Sequence, residues 1–121
     1  MNEDVDQILA TGAVVAELVG QVGDYTALYL TILSGYLIVA YIQGKHMSRM
    51  QTAIVTTLFV CWTFVNTVTS VSALNAAVYF GHTYGAGRAP EWGSLAIAVL
   101  QSLGTLAALK FMWDVRHPKT E

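Results

Sequence analysis

Hydrophobic residues run almost unbroken through three stretches of this chain, Tyr25 to Gly44, Met50 to Phe80 and Trp92 to Leu109, and none of the three contains an Asp, Glu, Lys or Arg. A helix rises about 1.5 Å per residue and a bilayer's hydrocarbon is about 30 Å thick, so each stretch is long enough to cross it. The pattern predicts spans over residues 25–44, 50–80 and 90–116, the last running on into a cytoplasmic extension. The second span would reach about 46 Å if helical throughout, so its outer end, Ser72 to Phe80, is expected to tilt, bend or project.

The first 24 residues follow a different rhythm. Val5, Ile8, Leu9, Gly12, Val15, Val19 and Val22 recur at helical spacing, with Asp6, Ala13, Glu17, Gln21 and Asp24 largely opposite. The segment 1–24 is therefore expected to be an amphipathic interfacial helix, turning sharply into the first span at Gly20 and Gly23. It opens with Asn2, Glu3, Asp4 and Asp6 and lacks the basic region of a cleavable signal peptide. The expected fold is a single all-α integral membrane domain covering residues 1–121.

Helix punctuation agrees with these limits. Asp24 is placed to cap the first span and Gly44 to end it in a left-handed conformation. Ser48 and Gln51 have the spacing of a capping box. Pro90 and Glu91 suit a first helical turn, and Pro118 blocks continuation beyond the third span.

Charge adds a direction. Lys45, Arg49, Lys110, Arg116 and Lys119 fall on one side of the predicted spans and only Arg88 on the other. Basic residues resist translocation, so the N-terminus is expected outside and the C-terminus in the cytoplasm of a bacterial-type inner membrane. Tyr25, Tyr29, Tyr79, Tyr84 and Trp92 would form the outer aromatic belt, with Tyr41, Phe111 and Trp113 at the inner one. Composition suits this reading: 55% of residues are hydrophobic and 12% charged.

Candidate chemistry is sparse. The three charge-free stretches hold no carboxylate, amine, guanidinium or imidazole of the kind that proton relays, general acids and cation sites require. His46, His82 and His117 lie outside the spans and lack a ligand partner at helical spacing, so no metal or other cofactor is expected. The glycine-rich stretch Gly81 to Glu91 reads as a surface loop and has no phosphate-loop Lys and Ser or Thr. Cys61 reads as a small hydrophobe. Nothing in the basic residues suggests nucleic acid.

What remains is a stripe of uncharged polar residues. Thr52, Thr56, Thr63, Asn66, Thr67 and Ser70 fall close to one face of the second span. In the third, Ser94, Ala98, Ser102 and Thr105 form one ridge of small residues, and Ile97, Gln101, Gly104 and Ala108 form its neighbour. An amide turned to lipid leaves donors and an acceptor unpaired, so Asn66 and Gln101 must meet protein or water. Two roles fit. The stripe is interhelical glue in a non-enzymatic protein that self-associates or serves as an accessory subunit of a larger membrane complex; or it lines a homo-oligomeric channel or passive transporter for ions or small uncharged solutes. Beyond lipid, the expected partners are further copies of the chain or other membrane subunits.

Overall fold

The computed structural model describes residues 2–84 and 92–119. It consists of three helices, α1 (Asn2–Gln43), α2 (Arg49–Tyr84) and α3 (Gly93–Arg116). All three are long and apolar enough to cross a membrane, and among the described residues there is no strand. At about 1.5 Å per residue they measure roughly 63, 54 and 36 Å. The turn between α1 and α2 makes them antiparallel. The C-terminal end of α3 returns to that turn, where Arg116 bonds the carbonyls of Gly44 and Met47.

The heptad-like rhythm of each helix explains the packing. On α1, Val22, Tyr29, Tyr36 and Ala40 are buried. On α2, Phe59, Thr63, Asn66, Ser70, Leu74 and Ala77 are buried at steps of three and four, which keeps them on one face. On α3 the ridge predicted from Gln101, Gly104 and Ala108 is the contact face, extended by Met112. Tyr36, Ala40, Phe59, Ala108 and Met112 make one apolar cluster, and the rings of Tyr36 and Phe59 stack at 4.0 Å with 10° between their planes.

The structure departs from the sequence expectations in several places. Residues 2–24 do not form a helix separate from the first span: α1 is uninterrupted through Gly20 and Gly23. Glycine permits a break without imposing one, and neither glycine is approached by a neighbour within 4 Å. Asp24 accordingly sits inside α1 and caps nothing. Gly44 follows the end of α1 as expected, but its backbone is not left-handed; glycine is needed there because a Cβ would run into the Ala40 carbonyl oxygen and come within 3.0 Å of Val115 Cγ1. Gly81 to Tyr84 belong to α2 and not to a loop. Pro90 and Glu91 lie outside the described residues, and α3 begins at Gly93.

Other punctuation agrees. The Ser48–Gln51 box forms, with the Ser48 amide donating to Gln51 Oε1 at 2.9 Å and the Gln51 amide to Ser48 Oγ at 3.1 Å. The helix α3 ends at Arg116, two residues before Pro118.

Because α3 is short, α1 and α2 outrun it. From the level at which Tyr29 meets α3, the N-terminal part of α1 extends roughly 25 Å beyond the start of α3. It runs first beside the far end of α2, where Gln7, Thr11 and Val14 flank Phe80. Val5, Ile8 and Leu9, on other faces of the same stretch, are 54%, 52% and 66% exposed.

Candidate functional site

The polar stripe resolves into two clusters. The first sits midway along the bundle. Thr63, Asn66, Ser70 and Gln101 are all at most 5% exposed, so these residues of α2 and α3 face the chain's own interior. Tyr29 reaches across from α1 and donates its hydroxyl to the Gln101 carbonyl at 2.6 Å, with Thr105 Oγ1 at 3.2 Å. Gly104 makes the approach possible, because a Cβ there would lie 2.5 Å from Tyr29 Oη. The sequence placed Tyr29 in the outer aromatic belt; it is instead an interior bridge.

Most hydroxyls in this cluster are satisfied on their own helix. Ser70 donates to Asn66 O at 2.8 Å, Thr67 to Thr63 O at 2.8 Å, Thr105 to Gln101 O at 2.8 Å and Thr63 to Val60 O at 3.1 Å. Such back-bonding lets a hydroxyl lie in an apolar medium without water or a partner. The abundance of Thr and Ser in α2 therefore demands no aqueous surface.

The amides are different. Asn66 Oδ1 and Gln101 Nε2 are buried without a hydrogen-bond partner. Thr67 Oγ1 lies 2.6 Å from Gln101 Oε1 and also reaches Thr63 O, yet its one proton serves one acceptor. Turning the Gln101 carboxamide over resolves both conflicts: Nε2 then donates to Thr67 Oγ1, and Thr67 donates to Thr63 O. What stays under-satisfied is a pair of amide oxygens, a smaller penalty than a stranded donor.

The second cluster lies at the end where α1 joins α2. Tyr36 Oη and Thr56 Oγ1 are 3.0 Å apart. Thr52 donates to Ser48 O at 3.1 Å and accepts from Arg116, whose Nη1 also donates to Met47 O at 2.9 Å. One arginine thus ties the start of α2, the α1–α2 turn and the end of α3 together. Next to it, His117 stacks on Trp113 with ring centroids 4.2 Å apart.

Of the sequence candidates, Thr63, Asn66, Thr67, Ser70, Gln101 and Thr105 are brought together in the first cluster and Thr52 and Thr56 in the second. Ser102 joins neither; it is exposed on a groove between α2 and α3. Tyr29, Tyr36 and Arg116 were missed as members. The seven-residue step from Tyr29 to Tyr36, continuing the buried face of Val22, was the signal available for the tyrosines. Among the described residues no three His, Cys, Asp or Glu side chains gather as metal ligands would. No protein-family model, curated protein or solved structure matches the chain.

Proposed function

We propose that this is a non-enzymatic, multi-pass membrane protein that acts by association, with further copies of itself or as an accessory subunit of a membrane complex. The distribution of basic residues supports an N-terminus outside and a C-terminus in the cytoplasm of a bacterial-type inner membrane. One observation carries the associative reading: Val5, Ile8 and Leu9 lie exposed beyond α3, on an uninterrupted helix, among Glu3, Asp4 and Asp6. Acidic residues suit a place outside the hydrocarbon, and three large apolar side chains there require cover. The polar faces of α2 and α3, proposed from sequence as the associating surfaces, are engaged within the chain, which shifts the proposed contact to this projecting arm.

Subunit counting on the full chain in nanodiscs tests the reading. Replacing both Ile8 and Leu9 with Glu is expected to convert assemblies to single chains while leaving helix content intact. An unchanged count would contradict the proposed contact. A second reading, a channel or passive transporter lined by α2, is favoured by the under-satisfied buried amide oxygens of Asn66 and Gln101, since buried acceptors suit a water or a small uncharged solute that carries a donor. Flux of ions or small solutes in liposomes containing purified protein would support it; tight liposomes would not.

A further inference from the structure

The end of the bundle where α1 turns into α2 carries an amphipathic groove of about 540 Å³ between α2 and α3. Its rim carries the cationic Arg49 and Arg116, with His117 beside them, and its wall is apolar, with Ala53, Leu109 and Met112. Leu109 also lines the neighbouring groove of about 390 Å³, which continues between α2 and α3 past Leu106 to Ser102. From Arg116 to Leu106 is ten helical residues, about 15 Å, which is half the hydrocarbon thickness and so the depth of one leaflet.

Arg49 and Arg116 lack anionic partners among the described residues. Arg116 is half-buried, and the acceptors it reaches, Gly44 O, Met47 O and Thr52 Oγ1, are all neutral. All those bonds use Nη1; Nε and Nη2, which carry three further N–H groups, have no hydrogen-bond partner among the described residues. Asp114, two positions before Arg116, is engaged by Lys110 at 2.6 Å. Arg49 pairs with no carboxylate among the described residues, and it opens α2, whose N-terminal backbone dipole adds positive potential at the same place. A guanidinium is built to hold phosphate oxygens in a fork of N–H donors.

We infer that this groove binds an anionic phospholipid, with its phosphate between Arg49 and Arg116 and one acyl chain laid between α2 and α3 toward Leu106. The charge selects the phosphate, and the apolar continuation selects a lipid over a soluble anion. The site rests on the chain's crossing a membrane and is independent of the proposed association of its arm.

Native mass spectrometry of the full chain, released from detergent containing either phosphatidylglycerol or phosphatidylcholine, reads subunit count and bound lipid separately. Retention of about one phosphatidylglycerol per chain, with at least tenfold weaker retention of phosphatidylcholine, is expected. Arg49→Gln removes a charge without touching an intrachain hydrogen bond and should weaken phosphatidylglycerol retention about tenfold. Ala53→Phe, which fills the groove and leaves both arginines, should weaken it as well. Lys45→Gln, at the same end but outside the groove, should leave it unchanged. Arg116→Gln is a poorer test because it also unties the turn. Equal retention of the two lipids would overturn the inference. So would equal losses from Lys45→Gln and Arg49→Gln, which indicate diffuse surface charge, or displacement of the lipid by excess inorganic phosphate, which indicates a soluble-anion site.

Discussion

Replacing Gly104 with valine is expected to destabilise the bundle by about 2 kcal/mol, the usual cost of forcing extra methyl groups into a packed contact. Tyr29 Oη already lies 2.5 Å from where a Cβ would sit, so the ring must withdraw. Its donation to Gln101 O is then lost, and with it the direct bond between α1 and α3 at mid-bundle. Valine is also a slightly poorer helix residue than alanine, so Gly35→Val, on an open face with nothing within 4 Å, is the control. That variant should unfold within about 0.5 kcal/mol of the parent. Reversible unfolding in mixed micelles by increasing SDS measures both. Equal stability of the Gly104 variant and the parent would mean that Tyr29 does not pack where the structure places it.

Phe59→Ala should have the larger effect, about 3 kcal/mol. Phe59 is 4% exposed and stacked on Tyr36, at the centre of the cluster that joins all three helices. In a bilayer the lost term is packing rather than removal from water, because lipid tails are as apolar as the core; the cavity left by the ring still forfeits its contacts. Phe64 is the natural comparison, on the same helix and 68% exposed. Facing lipid, it exchanges one apolar neighbour for another, and Phe64→Ala should be nearly neutral in the same assay. A reversed order would place the lipid face of α2 on the wrong side.

The three helices were legible in the sequence because charge exclusion from hydrocarbon is a strong constraint that acts on every residue of a span. The Ser48–Gln51 box was legible for a local reason, two side chains satisfying two backbone donors within one turn. Where α1 begins was not legible. Its apolar stripe before Asp24 and its glycines at 20 and 23 are compatible with a hinge and with a continuous helix, and local preference does not choose between them.

The candidate site shows the same division. Asn66 and Gln101 announced that they must avoid lipid, and they do so inside a single chain. The sequence could not distinguish that arrangement from a seam between copies, because a buried amide has the same spacing in both. Tyr29 was misassigned because tyrosine near a span's end resembles an interfacial anchor. Only Gly104, which lies three positions after Gln101 on α3, reveals the space that admits the Tyr29 ring.

The central claim is that the polar face of α2 is a dry interior surface and not the lining of an aqueous path. Cysteine labelling of Ser70→Cys in a Cys61→Ala background tests this most directly, since Ser70 is fully buried and the change is small. With the protein in liposomes, a charged, water-soluble thiol reagent is applied to both faces of the membrane, and Lys45→Cys in the exposed α1–α2 turn serves as the accessible reference. The account predicts that Ser70→Cys stays unmodified over a period in which Lys45→Cys reacts to completion. Reaction of Ser70→Cys at a rate comparable to the reference would contradict it.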